Sequence, residues 1–374
     1  MTFSAHFVKT LVKKIFPTLR KTQQVNLSFG IFGQIKSQSG LMSVIVREVP
    51  GAVKHKHRLK RFWRFLSNPR VKPEELRLFW IRWCIAMFCH DKVIKVAMDW
   101  TTLPGNIQCL MLAIPFHGRA IPLIWHIVLH SKIKDSQNLI EERLLARLIN
   151  LVNEVDSTRK LLLTADRGFG RATLFQFLQK KQVLFVIRAK GDVTITTKQG
   201  KRLLLRSVGK TLTENIPLWY ERISYRGDSK VTGVNLACVV AKPKEKGAEP
   251  LQDLRLDPWF LITNLKKPET TIERYQERFH IEEWFKDMKH QLGIAKLQTR
   301  NLMRVRRLLL VGAVAYGITM IIGTVAKGFT TVQDQLITGG KKVASRIWFA
   351  LNMIKYNLLG SVFWKKVYTV ATIP

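Results

Sequence analysis

Between residues 92 and 189 the chain switches repeatedly between short β-branched apolar runs and helical periodicity, and this alternation narrows the possible architectures more than any other feature. The runs VIKVAMDW, CLMLAIPF and AIPLIWHIVLH follow one another, with a turn around His117 and Gly118, and read as a three-strand meander. Residues 136–154 then have helical periodicity, with Asn138 and Glu141 at capping-box spacing. The strand KLLLTAD, a tight turn at 167–170, a helix over 171–181 and the strand VLFVIRA complete the order β, β, β, α, β, α, β. An α/β fold with a mixed sheet flanked by helices is expected.

The rest of the chain divides by pattern. Residues 1–90 read as helical, with breaks at Pro17, Gly30, Gly33, Gly40, Pro50 and Gly51; Pro73, Glu74 and Glu75 have the form of a helix first turn, and that helix should run to about His90. Residues 190–268 carry short alternating segments (VTITTK, VNLACVVA, WFLITN) between glycine turns and a charged loop from Lys242 to Lys246, and read as a β-rich insertion into a core that starts at 91–189. Helical pattern resumes at Thr270, where Thr270 and Glu273 fit a capping box after Pro268, and fills 269–300 and 301–374.

Charge selects the partner. Lys and Arg number 62 against 26 Asp and Glu, a formal net charge of +36, spread along the chain rather than gathered in a tail. A polyanion is implied, and an extended DNA duplex suits this spread better than a small acidic ligand. Residues 52–66 interleave Lys54, Lys56, Arg58, Lys60, Arg61 and Arg64 with Phe62, Trp63 and Phe65, so that basic heads can meet phosphates while aromatics anchor the helix.

Other classes fit less well. Cys84, Cys89, Cys109 and Cys238 lie in or near apolar runs without zinc-ligand spacing, and read as free thiols of a reducing, cytoplasmic compartment. No secretory signal is evident near the first residue. Residues 308–326 lack formal charge and are long enough to cross a bilayer, but Gly312, Gly317, Gly323, Thr319 and Thr324 favour a helix buried in a globular protein. His55, His57, His117, His126, His130 and His280 form no ligand set.

The chemistry points to carboxylates. Asp99 and Asp166 each end an apolar strand, where loops leave room for a substrate, and the two strands are expected to be neighbours. On a helical wheel at about 100° per residue, with Arg278 at zero, Tyr275 falls near 60°, Glu282 near 40° and Lys289 near 20°. Ile281, Trp284, Phe285, Met288 and Leu292 form the adjoining apolar face and Glu283 points away, which selects Glu282 over its neighbour. Three carboxylates can hold two divalent ions, magnesium or manganese, for work on a phosphodiester. Arg278 and Lys289 can clamp flanking phosphates, and Tyr275 can donate a hydrogen bond or stack at a DNA end.

The spacing Tyr275-x-x-Arg278-x-x-x-Glu282-x-x-x-x-x-x-Lys289 resembles the YREK signature of the insertion-sequence DDE transposases in the group called IS four, and VIKVAMDW and LLLTADRGFG resemble that family's two aspartate motifs. The resemblance implies an RNase-H-like catalytic core with a β-rich insertion and a helical amino-terminal domain for the terminal inverted repeats. It further implies a carboxy-terminal region used in dimeric synapsis, and a bacterial, nucleoid-associated enzyme. By the same resemblance Asp99, Asp166 and Glu282 are the metal ligands, Tyr275, Arg278 and Lys289 hold the transposon end, and the reaction is cleavage followed by strand transfer into target DNA. An aromatic that stacks a flipped base is left open between Trp259 and Phe279, both of which also suit a core. Two alternatives stay open at this point: a catalytically silent DNA-binding descendant of such an enzyme, and a membrane-anchored basic protein.

Overall fold

Helix starts in the amino-terminal region follow local chemistry. Ser4 accepts a hydrogen bond from the Phe7 amide at 3.2 Å and opens α1 (Ala5–Ile15). α2 (Lys21–Ser37), the single turn α3 (Met42–Ile45) and α4 (His55–Ser67) follow. α5 (Pro73–Phe88) has proline in its first turn with Glu74 and Glu75 beside it, as the sequence predicts, and ends two residues before His90. The computed structural model describes residues 3–133, 136–214, 216–226, 231–240, 258–328, 345–356 and 360–372; the expected charged loop 242–246 lies outside them. The chain divides into two units: residues 1–91, 100–157 and 282–374 form the first, and 92–99 with 158–281 the second.

Ten strands make a mixed sheet flanked by helices. β1 (Val93–Leu103) runs four residues past Asp99, where the sequence suggested an end, because the chain continues straight into a hairpin strand. β2 (Ile107–Phe116) and β3 (Arg119–Leu129) pair antiparallel through a two-residue turn, with His117 at φ 48° and Gly118 at φ 78°. Positive φ at both central residues matches the twist of a hairpin.

In the first unit, α6 (Gln137–Val155) starts after Ser136 without a side-chain cap, so the expected Asn138–Glu141 capping box does not form. Glu141 is instead buried, its Oε1 accepting from Trp100 Nε1 at 2.8 Å and Gln137 Nε2 at 3.0 Å. The unit's core is built on α11 (Leu302–Ala326), opened by Asn301, whose side chain accepts from the Arg304 amide. By length and composition alone this helix could cross a membrane, but 89% of its most apolar window is buried. It packs against α2, α4, α5, β3, α12 (Arg346–Tyr356) and α13 (Ser361–Ala371). A Cβ at Gly323 would stand 2.1 Å from the Arg346 carbonyl oxygen, so the glycine answers to a neighbouring backbone. Arg307, 1% exposed, donates to the Leu66 and Val71 carbonyls at 2.8 and 2.6 Å, placing its charge at the carboxyl end of α4.

In the second unit, β4 (Lys160–Ala165) lies parallel to β1 and to β5 (Leu184–Ala189), which α7 (Ala172–Lys180) connects. β10 (Trp259–Thr263) pairs antiparallel with β5 and with β9 (Val234–Val239), and β8 (Leu218–Tyr225), β6 (Thr194–Thr196) and β7 (Arg202–Leu204) carry the order outward, with α8 (Leu205–Gly209) closing the last hairpin. The strands read as a β-rich insertion are therefore hydrogen-bonded onto β5. α9 (Pro268–Glu277) packs on β4, β5, β9 and β10. It opens at Lys267 with Pro268 in its first turn, two residues before the expected start, and the Thr270–Glu273 capping box does not form.

Candidate active site

The parallel ladder between β1 and β4 ends at the pair Met98–Ala165, and the next residue on each strand is an aspartate. Asp99 and Asp166 thus leave the ladder at the same level on adjacent strands, whose backbones run about 4.8 Å apart in a sheet. On β1, Lys95 and Asp99 share a face by strand alternation, and both meet groups from the α9 region. Lys95 pairs with Glu277 at 2.9 Å, and Arg278 approaches Asp99 with Nη1 to Oδ2 at 3.5 Å. The expectation that the strands carrying the two aspartates are neighbours holds in this register.

Asp166 also shapes the loop that follows it. Its Oδ1 accepts from the Gly168 amide at 2.8 Å and starts the 3-10 turn Arg167–Phe169. A Cβ at Gly168 would lie 3.0 Å from that same oxygen, and one at Gly170 would lie 2.8 Å from the Arg188 carbonyl of β5. The two glycines of DRGFG therefore let the turn fold under Asp166 and against the next strand.

The continuous helix expected over residues 270–290 is broken. Residues 278 and 279 form a turn between α9 and α10 (His280–His290). Arg278 is 5% exposed, with its guanidinium over the rings of Phe279 and Tyr275 at 4.4 and 5.6 Å. Tyr275 is 1% exposed and belongs to an apolar cluster with Val186, Ala237 and Leu261, its ring edge-on to Trp259 at 5.0 Å. Burial raises its phenol pKa, Arg278 and Arg188 oppose that rise, and Asp166 adds to it. Its ring is part of the core in this structure, so of the two expected roles, hydrogen bonding or stacking at a DNA end, burial speaks against stacking. Trp259 is half-buried, whereas Phe279 is exposed.

α10 begins with Glu282 and Glu283 in its first turn and ends with Lys289 and His290 in its last. Ile281, Trp284, Phe285, Met288 and Leu292 are all buried, as the wheel predicts, and Glu282 and Lys289 are half-buried beside that face. Glu283 is drawn into ion pairs with Lys286 at 2.6 Å and Arg119 at 3.2 Å. The sequence reading missed Asp287. It is buried, and its Oδ2 accepts from Arg119 Nε at 2.8 Å and from the Tyr316 hydroxyl at 2.9 Å. Burial pushes the Asp287 carboxyl upward, while its two donors pull it down. This network ties α10 to β3 and α11, fixing the helix that carries Glu282. On the helical wheel Asp287 falls at about 180°, off the apolar face and on the side of Glu283, so the sequence carried no signal for its burial.

On α4, Phe62 and Phe65 are the buried anchors; Trp63 is 40% exposed under the Arg304 guanidinium, correcting its expected anchoring role. Arg58 donates Nε to the Val53 carbonyl at 2.7 Å and its other nitrogens to the carbonyls of Val49 and Gly51. Its guanidinium is thus engaged with its own loop, where the sequence reading expected a phosphate contact. Arg61 donates to Asn26 Oδ1 at 2.6 Å and stacks on Phe29 but stays exposed, as do Lys54, Lys56, Lys60 and Arg64.

Among the described residues no three His, Cys, Asp or Glu side chains gather as a metal-binding set. Asp99 faces the Arg278 guanidinium, and Asp166 accepts from the Gly168 amide. Their hard, partly exposed oxygens nevertheless suit a divalent ion in chemical type.

The strongly basic chain thus folds into a mixed sheet from which two aspartates leave adjacent parallel strands. The chain belongs to the transposase DDE domain family, whose model matches residues 95–318, well over half its length. Comparison with curated proteins gives no significant match.

Proposed function

We propose that this chain is a metal-dependent transposase that cuts DNA at the ends of a mobile element and joins those ends to target DNA, within the insertion-sequence group marked by Tyr275, Arg278, Glu282 and Lys289. The observation that carries the reading is the register of β1 and β4, which delivers Asp99 and Asp166 side by side. We assign these two as ligands of magnesium or manganese and Glu282 as the third. The support for Glu282 is its place in the first turn of α10, half-buried beside the apolar face, while Glu283 is committed to Arg119 and Lys286.

A divalent ion, singly or as a pair, would supply Lewis-acid activation of the attacking and leaving oxygens. The protein's own groups do the rest. Arg278 neutralises Asp99 in the DNA-free protein and offers a planar fork to a phosphate arriving there. Tyr275 and Phe279 fix that guanidinium by stacking, so Tyr275 acts by holding Arg278. Lys289 adds a point charge from the last turn of α10. Exposed cations on α4 hold duplex DNA through its backbone, with a homodimer bringing two ends together in the cytoplasm.

The test is strand nicking of a DNA carrying the inverted repeats that flank the coding region, with magnesium present. Wild type should cut at the repeat ends, and Asp166→Asn and Glu282→Gln should bind the same DNA without cutting. Binding without any cutting by wild type would leave a silent DNA-binding protein; undiminished cutting by Glu282→Gln would remove Glu282 from the site.

A further inference from the structure

Arg167, one residue beyond Asp166, lines one wall of a cleft of about 730 Å³ that lies wholly within the second unit. The other charged groups on its walls are Arg188, Lys190, Arg206, Lys210 and a single carboxylate, Asp192. Three separate segments bring these cations together: the turn after β4, the end of β5 with the residues that follow it, and α8 with Lys210 just beyond it. They are held together by backbone. The Arg206 amide donates to the Gly191 carbonyl at 2.8 Å, the Leu205 amide to Val193 at 2.9 Å, and Arg188 Nη2 to the Pro258 carbonyl at 3.1 Å. The floor is apolar: Phe260 and Pro258 lie against Gly209, where a Cβ would come within 3.0 Å of both. Cations around an apolar floor are the surface that a nucleic-acid strand recognises, phosphates at the rim and sugar or base edge inside.

We propose that this cleft binds the DNA strand running on from the scissile phosphate, as a second phosphate-binding subsite beside Asp166. The proposal rests on the active-site reading above. A DNA strand is favoured over a small phosphate because the cations line a cleft of about 730 Å³, far larger than one phosphate group, that includes the residue next to Asp166. Arg206 and Lys210 are exposed and lie outside the sheet core, so removing them leaves the fold intact.

The experiment compares full-length wild type, R206A/K210A and the charge-matched control K180A/K181A, whose residues are exposed at the carboxyl end of α7. Binding of an end-containing duplex is measured without divalent metal across a salt series. Each lost phosphate contact removes close to one unit from the slope of log K against log salt. R206A/K210A should lower the slope by about 2 and weaken binding, whereas K180A/K181A should leave the slope within about half a unit. Equal slopes for the two variants overturn the proposal. Saturable binding of inorganic pyrophosphate that is lost in R206A/K210A, with the DNA slope unchanged, would also overturn it by making the cleft a small-anion site. Matching melting temperatures show that the variants are folded. Failure of wild type to bind the duplex at all would sink the active-site reading instead, so the two failures are distinguishable.

Discussion

Asp99 in the second unit and Asp287 in the first each face an arginine, but the contacts differ in kind. Asp287 has 8% of its side chain exposed, and one oxygen takes donors from Arg119 at 2.8 Å and Tyr316 at 2.9 Å, both within ordinary hydrogen-bond range. Asp99 has 19% exposed and meets Arg278 at 3.5 Å, a charge contact longer than a good N–H···O bond. The first arrangement spends the carboxylate on holding helices together. The second is a longer charge contact on a more exposed carboxylate, which we propose an incoming ligand can replace. Proximity to arginine therefore says little about role; what differs between the two carboxylates is the length of the contact and the exposure of the side chain.

The largest effect that could break this comparison is on cleavage. Asp99→Asn should lower the nicking rate at least about a hundredfold, the upper end of what a mere outer-shell partner of a metal is worth, with no change in melting temperature. If the variant melts much earlier than wild type, Asp99 belongs with Asp287 as a structural acid. The next effect is on stability. Arg119→Met strands Asp287 as a buried charge and should cost about 3 kcal/mol, read as a lowered urea midpoint. Asp287→Asn removes the charge along with its need for a partner, and should cost no more than about 1 kcal/mol.

A pH series sharpens the same point. Burial raises the Asp287 carboxyl above its ordinary 3.8, so the folded state binds this proton more tightly than the unfolded state. The stability it contributes is complete below that ordinary value and is lost as pH rises through the raised one. Arg119→Met removes a lowering influence and should steepen that loss, while Arg119→Met/Asp287→Asn should abolish it. An unchanged slope of urea midpoint against pH in Arg119→Met would mean that Arg119 does not govern this carboxyl.

What was legible in the sequence follows from the range of the interactions. The meander, the helices after Ser136 and Arg171, and the aspartates at 99 and 166 are written in periods of two and 3.6 and in glycine turns, all local. The break at Arg278 and Phe279 was hidden because the apolar period runs on through it. The capping boxes failed where proline or a different start residue set the first turn, at Lys267 and Ser136. Tyr275 read as a DNA contact because nothing near it in sequence announces Trp259, which packs on it from β10. The Arg119–Asp287–Tyr316 network joins residues from three distant segments, a pairing that one sequence cannot reveal. Clefts and partner choice among many arginines are likewise products of tertiary packing.

The smallest effects test the comparison on α4, where two basic residues two positions apart have opposite commitments. Arg58 is spent on the carbonyls of Val49, Gly51 and Val53, whereas Lys60 is exposed. Arg58→Ala removes several charge-assisted donors from a loop and should cost about 1–2 kcal/mol of stability, read in urea, while leaving the salt dependence of DNA binding unchanged. Lys60→Ala should leave stability within about 0.5 kcal/mol and lower the salt slope by about 1, the loss of a single phosphate contact. Should Arg58→Ala lower the slope as much as Lys60→Ala, the guanidinium leaves its loop when DNA binds. Hydrogen bonding in the DNA-free protein would then not be a guide to which cations meet phosphate, and the distinction drawn between Asp99 and Asp287 would need a DNA-bound measurement before it could be extended to basic residues.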